Sequence, residues 1–263
     1  MDFASFFLLV LLSHQVAALK LLWINVPTYT FRGKAAHLQC RYDLEGDKLY
    51  SISWYKDHEE FYRYVPRGEP TKHSYRVEGV KVDHRHSDHE QVYLQDVSLQ
   101  SSGKYKCEVS AEAPSFSSVS AEAAMEVIVL PVEGPTITGE EKIYASGDVL
   151  ALNCTSGKSH PAEQLNWFIN GAQVKADSEF IQEEQGLYLV ISTLRLELQP
   201  DHITDDKINV RCEATVQLDP QSDAPRIEPR NTQVFVEGDA SSFSSSLCLV
   251  GAGALILRLL SIV

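Results

Sequence analysis

The sequence predicts an all-β chain built as two tandem β-sandwiches, and three observations carry that prediction. A cysteine, a tryptophan and a second cysteine recur in order, first Cys40, Trp54 and Cys107, then Cys154, Trp167 and Cys212. The tryptophan follows the first cysteine by 14 and 13 residues, and the second cysteine follows the first by 67 and 58. Around both sets, short segments alternate apolar and polar residues with the period of two that marks a half-buried strand. The 263 residues accommodate two such units. At 44% hydrophobic and 22% charged, the composition is that of a globular chain and not a disordered one.

From the N-terminus, residues 3–12 read FASFFLLVLL, an apolar run of signal-peptide length that is too short to span a membrane. Val16-Ala17-Ala18 supplies small residues for cleavage after Ala18. Residues 1–18 are therefore predicted to be a secretory signal peptide. A secreted chain matures in an oxidising compartment, so disulfides are the default. Cys40, Cys107, Cys154 and Cys212 form an even set, and the fifth cysteine, Cys248, lies in the terminal hydrophobic tail.

Residues 19–131 form the first predicted domain. AAHLQCRY and SISWYK alternate as strands, and the Cys–Trp–Cys order is that of an immunoglobulin-like sandwich. In that fold the two cysteines lie in opposite sheets, one disulfide staples the sheets, and the tryptophan packs against it. This predicts the pairs Cys40–Cys107 and Cys154–Cys212. In LQSSGKYKC, Tyr105 stands two residues before Cys107, the tyrosine-corner position, and Gly103 allows the bend. The separation of 67 leaves room for the two extra strands of a variable-type domain.

The boundary falls in LPVEGP, where Pro131 and Pro135 bracket a short connection that restricts interdomain bending. Residues 132–237 form the second domain, with strands in DVLALNC and QLNWFING. Val210 occupies the corner position in INVRC, so that corner is missing, and the separation of 58 predicts a more compact strand set.

Residues 238–263 close the chain. Small residues Gly238-Asp239-Ala240 precede a Ser-rich spacer, and Leu247–Val263 is a largely apolar run whose one charge is Arg258. This is the order of a glycosylphosphatidylinositol attachment signal, with Gly238 as the site of lipid attachment. It places the protein at the extracellular cell surface; a transmembrane tail and a secreted form are the alternatives.

Charge divides the chain. Residues 19–131 hold 14 Lys and Arg against 16 Asp and Glu, a net of −2, whereas residues 132–237 hold 8 against 18, a net of −10. Nucleic-acid binding needs a basic face, and neither half offers one. The acidic half reads as a solubilising surface.

Catalytic signatures are missing from the sequence: there is no H-E-x-x-H, G-x-S-x-G, phosphate-binding Gly loop or C-x-x-C. No enzyme and no cofactor are expected. VDHRHSDHE puts His84, His86, Asp88 and His89 within six residues, a set that zinc or copper could use. Nothing distant in sequence completes such a site, so it reads as a solvated loop ahead of a strand, and no metal is predicted. A secreted small-ligand or metal binder using this loop is the alternative function. Asp201, Asp205 and Asp206 lack the spacing of a calcium loop. Asn153-Cys154-Thr155 is the one glycosylation sequon, with Asn153 expected to point outward because Cys154 points inward.

The stretch WYKDHEEFYRYVP, from Trp54, combines a charged turn with a cluster of aromatics. With Trp54 inward, Tyr55 points out of the same sheet; with Cys107 inward, Lys106 and Glu108 point out beside it. Alternation in the next strand divides Phe61, Arg63 and Val65 from Tyr62 and Tyr64. Tyr62 and Tyr64 are assigned to the outer face with Tyr55, and Phe61 and Val65 beneath it or at its edge. The expected partner-binding face is therefore Tyr55, Tyr62, Tyr64, Lys106 and Glu108, with Phe116 of EAPSFSSVSA at its rim. Tyrosine brings a large contact area with few rotamers to freeze, and interface centres are enriched in it.

Three segments, YDLEGDKLYSISWYKDHEEFYRYVPRGEP, CEVSAEAPSFSSVS and LPVEGPTITGE, resemble the beaten path family of insect neuronal surface and secreted proteins. The resemblance extends over the two-domain frame from about residue 19 to 237. It implies a role in axon guidance and fasciculation through heterophilic binding to sidestep-family immunoglobulin receptors on another cell.

Overall fold

The structure is a computed structural model that describes residues 19–141, 143–219 and 227–239. The first half contains nine strands: β1 (Lys20–Asn25), β2 (Tyr29–Phe31), β3 (Ala36–Asp43), β4 (Leu49–Lys56), β5 (Glu59–Tyr64), β6 (Lys72–Ser74), β7 (Gln91–Leu94), β8 (Gly103–Ala111) and β9 (Ser118–Ile128). They form a three-stranded back sheet, β1-β3-β7, and a six-stranded front sheet, β2-β9-β8-β4-β5-β6. Alternate residues supply most of the core: Leu38 and Cys40 of β3, Ile52 and Trp54 of β4, Val92 and Leu94 of β7, and Cys107 and Val109 of β8 are all buried. The Cys40–Cys107 disulfide ties β3 to β8 across the two sheets. Strands β5 and β6 occupy the extra length between the cysteines.

The corner before β8 is fastened by Tyr105, whose hydroxyl donates to Ser101 O at 2.6 Å from a buried ring. Gly103 does more than permit a bend. Its φ is +149°, and a Cβ there would lie 2.7 Å from Asp57 Oδ1 and 2.9 Å from Asp57 Cγ. That carboxylate accepts from the Lys104 N–H at 2.8 Å and from Lys56 Nζ at 2.7 Å, locking the β4–β5 turn to the start of β8. Burial works to raise the Asp57 carboxyl, but the Lys56 and Lys104 hydrogen bonds outweigh it and hold the group below its ordinary value.

The second half repeats the plan with β10 (Thr136–Thr138), β11 (Ile143–Ala145), β12 (Val149–Thr155), β13 (Glu163–Ile169), β14 (Ala172–Val174), β15 (Ser178–Glu184), β16 (Leu187–Glu197), β17 (Lys207–Val216) and β18 (Arg230–Asp239). Its sheets are β10-β12-β16-β15 and β11-β18-β17-β13-β14. Cys154 and Cys212 join them, and Trp167 is buried, its Nε1 donating to Ser192 Oγ at 3.0 Å. Val210 is fully buried at the corner position and brings no hydroxyl. Asn170 serves there: its Nδ2 donates to His202 O at 2.8 Å, and its Oδ1 accepts from the Asn209 N–H at 3.0 Å.

Between the halves, Val129 and His160 exchange two backbone hydrogen bonds of 2.9 Å, and Arg230 Nη1 donates to Pro131 O at 2.6 Å. Gly238 pairs with Tyr144 in the middle of the three-pair parallel β11–β18 ladder. The predicted signal peptide, the Ser-rich spacer and the hydrophobic tail with Cys248 lie outside the described residues. Among the described residues, no helix is long and apolar enough to cross a membrane.

Candidate recognition face of the first domain

The outer surface of the front sheet is set by the register of β4 between β8 and β5. Ser53 pairs with Glu108 on one side and Arg63 on the other; Tyr55 pairs with Lys106 and Glu60. The β4–β5 ladder shifts between Trp54 and Tyr55: Trp54 faces Tyr62, whereas Tyr55 faces Glu60, so Phe61 is an extra residue in the ladder. A bulge of this kind breaks alternation. Phe61 and Tyr62 both turn inward and are fully buried, while Glu60 and Arg63 turn outward.

This overturns the expected orientation of two candidate contact residues. Tyr62 lies in the core, its hydroxyl donating to Asp88 O at 3.2 Å. Burial first, then the Asp88 charge, push its phenol well above the ordinary value. Tyr64 is half-buried, pairs with inward-facing Ile52, packs against the core cluster and has its ring 5.6 Å from that of His89. Regular alternation from an inward Phe61 would turn Tyr62 outward; the one-residue bulge at Phe61 turns it inward instead. Phe61 is beneath the face, as expected.

Tyr55, Lys106 and Glu108 do share the outer face. Lys106 Nζ stands 4.3 Å from the Tyr55 ring centroid and 3.1 Å from Glu108 Oε2. Arg63 makes a two-pronged pair with Glu60, Nε to Oε1 at 2.7 Å and Nη2 to Oε2 at 2.8 Å. The Glu60 hydrogen bonds raise the Arg63 guanidinium further above its ordinary value. Lys104 and Glu122 complete a third opposite-charge pair at 3.8 Å. Ser53 is buried at the centre, between Arg63 and Glu108. The face is thus a mosaic of paired charges around one tyrosine.

Phe116 is 77% exposed in the β8–β9 loop, which Ser115 Oγ fastens to Asp47 Oδ2 at 2.8 Å. It stands at the far end of β4 from Tyr55, about 20 Å away at the strand rise per residue. Tyr50, a second ladder irregularity with 59% exposure, lies at that end. Sequence reasoning missed Tyr50, Glu60 and Arg63. The available signal was the Arg amid aromatics, a residue with no place in a core.

The histidine-rich segment is hydrogen-bonded within the domain: His84 Nε2 to Ser74 Oγ at 2.7 Å, and His86 Nδ1 to Asp83 Oδ2 at 2.8 Å. Among the described residues, no three His, Cys, Asp or Glu side chains are placed to hold a metal ion, Asp201, Asp205 and Asp206 included.

With the geometry established, comparison with known proteins gives the class. Residues 26–130 match the immunoglobulin V-set domain and residues 133–222 the CD80-like C2-set immunoglobulin domain. The chain is therefore a tandem V-set and C2-set immunoglobulin protein. It is 28% identical over 124 residues to human cell adhesion molecule 1, a match covering 46% of this chain and 26% of that protein. Rat cell adhesion molecule 2 is 30% identical over the same length, again 46% and 26%. The match thus spans about a quarter of the length of these curated relatives. Among solved structures, the first two domains of Rst align with a TM-score of 0.57 at 18% identity, covering 84% of this chain and all of that one. The mouse nectin-like molecule 4 ectodomain aligns with a TM-score of 0.55 at 21% identity, covering 81% and 67%.

Proposed function

We propose that the chain is an extracellular recognition protein of the cell surface whose first domain binds another immunoglobulin-domain protein across the outer face of its front sheet. The observation that carries this is the pairing of Tyr55 with Lys106 inside a fixed array of opposite charges on an open sheet. A face of this composition favours selective heterophilic contact, because a partner must match the order of charges as well as the shape. The relationship to cell adhesion molecules supports the same reading, as recognition and not catalysis. The finer assignment follows the beaten path resemblance: the partner is a sidestep-family immunoglobulin receptor on another cell, the setting is axon guidance and fasciculation, and the chain is held at the membrane by a lipid on Gly238.

The test is a binding screen of the secreted ectodomain against sidestep-family ectodomains, repeated with Tyr55→Ala and Arg63→Glu. Truncating a hot-spot residue costs about 2 kcal/mol or more. Loss of binding by folded variants supports the face; unchanged binding moves the interface elsewhere. Release from cells by a phosphatidylinositol-specific phospholipase tests the anchor, and retention favours a transmembrane tail.

A further inference from the structure

The β10-β12-β16-β15 sheet of the second domain carries apolar side chains on its outer surface. Alternation along β16 sends Val190, Ser192 and Leu194 into the core, where they are buried. Leu189, Ile191 and Thr193 stand on the opposite side, half-buried, and Leu189 and Ile191 are not members of the core cluster. Phe180 of β15 pairs with Ile191 and is 62% exposed. A phenylalanine beside two aliphatic residues is a patch that water does not favour.

The glycosylation sequon lies in the same surface. Asn153 is exposed on β12, outward because Cys154 is buried in the disulfide. The ladder sets Asn153 beside Thr193 and Thr155 beside Ile191; on the far side of β16, Ser178 flanks Thr193 and Phe180 flanks Ile191. Asn153 and the apolar residues thus occupy adjacent rows. At ordinary strand spacing and rise, Ile191 is about 8 Å and Phe180 about 12 Å from Asn153. Thr193 Oγ1 donates to Asn153 Oδ1 at 2.9 Å, which engages the carbonyl oxygen and leaves the amide nitrogen for a sugar.

We propose that Asn153 is N-glycosylated and that the inner sugars of its glycan lie across Thr193 onto Ile191 and Phe180, closing this sheet face to protein partners. In the transfer, Asn153 Nδ2 bonds to C1 of the first sugar of a lipid-linked oligosaccharide pyrophosphate. The C1–phosphate oxygen bond breaks, the lipid pyrophosphate leaves, and one amide proton passes to the transferase. An N-acetylglucosamine unit has an apolar C–H face, suited to the Phe180 ring and Ile191 methyls, and a hydroxyl rim suited to Thr193 and Ser178. The sugar is thereby a cover as well as a solubilising group. It leaves the charged face of the first domain open to recognition.

The experiment uses the full chain expressed in animal cells and collected from the cell surface or the medium. Peptide mass spectrometry of wild type, Thr155→Ala and Asn153→Gln reads occupancy, and the expected result is a glycan mass on the Asn153 peptide that both variants lose. The native wild-type protein is then trimmed with a glycosidase in the presence of anilinonaphthalene sulfonate. A several-fold rise in dye fluorescence is expected, and Phe180→Ser with Ile191→Thr should abolish the rise. Trimming the folded protein keeps the test valid if a sequon variant is not secreted. An unmodified Asn153 overturns the proposal, as does dye fluorescence that trimming leaves unchanged. So does a loss of partner binding on Phe180→Ser in the glycosylated protein.

Discussion

Lys106 holds its ammonium 4.3 Å from the centre of the Tyr55 ring, from the directly paired position on the neighbouring strand. The same ammonium reaches Glu108 at 3.1 Å, so ring, cation and carboxylate fix one another's rotamers. Such a pair is worth about 0.5–1 kcal/mol at an exposed site. Its larger effect is to present the tyrosine to a partner already ordered, which reduces the entropy lost on association.

Tyr55→Ala is therefore expected to weaken partner capture by about 2 kcal/mol or more, in the range of hot-spot truncations. Folding stability should fall by no more than about 1 kcal/mol, because the side chain lies on the sheet surface. Biolayer interferometry against the partner and urea unfolding of the same sample read the two quantities separately.

Tyr62→Ala is expected to do the reverse. Its ring is fully buried, and truncating a buried aromatic costs roughly 3–5 kcal/mol of stability. A urea midpoint close to that of wild type would contradict the inward placement of Tyr62.

These two tyrosines show how much of the molecule was legible in the sequence. The double sandwich was, because Cys–Trp–Cys spacing reflects an invariant of the fold: two cysteines in opposite sheets and a tryptophan beside them. The tyrosine corner was too, since Tyr105 stands at a fixed distance from Cys107. The facing of β5 was not. Alternation transmits orientation only while the ladder is regular, and no local composition marks Phe61 as the extra residue. The Asp57–Gly103 contact was also hidden, because it joins a residue of the β4–β5 turn to the distant start of β8. The role of Asn170 in place of a second corner needed the backbone to show where Asn209 and His202 lie.

Gly103→Ala is expected to destabilise the first domain by about 1–3 kcal/mol for the strained φ alone, with the displaced Asp57 carboxylate adding to the loss. Asp57→Ala should recover part of that loss by vacating the space the new methyl needs. A double-mutant cycle in thermal unfolding checks this, and strict additivity would contradict the contact.

At the two corners, Tyr105→Phe leaves Ser101 O without its donor and Asn170→Ala removes two hydrogen bonds. Each is expected to cost about 1–3 kcal/mol, Tyr105→Phe in the first domain and Asn170→Ala in the second. Calorimetry should show the loss in the transition of the affected domain alone.

Asp83 gives the acid dependence of the histidine-rich segment. Hydrogen bonds from His86 and then Gln95 hold its carboxyl well below the ordinary value, with the Arg85 N–H adding to them. A depressed carboxyl stabilises the folded state above its unfolded value, about 3.9 for Asp, and that contribution fades as pH falls through the folded value. Asp83→Asn should therefore lower the melting temperature at pH 6, and the gap to wild type should narrow below pH 4. A gap that stays constant down to pH 2 would argue against the Asp83 network.

The extra residue at Phe61 makes the display of this sheet a matter of phase. Removing one residue of the β4–β5 turn while Trp54 stays opposite Tyr62 would pair Phe61 with Tyr55 and turn it outward, and would bring Glu60 opposite Lys56, with no change in the letters that remain. A length change of one residue in the β4–β5 connection thus alters the surface offered to a partner. Two such chains can share every aromatic residue here and still differ in which of them meets the solvent.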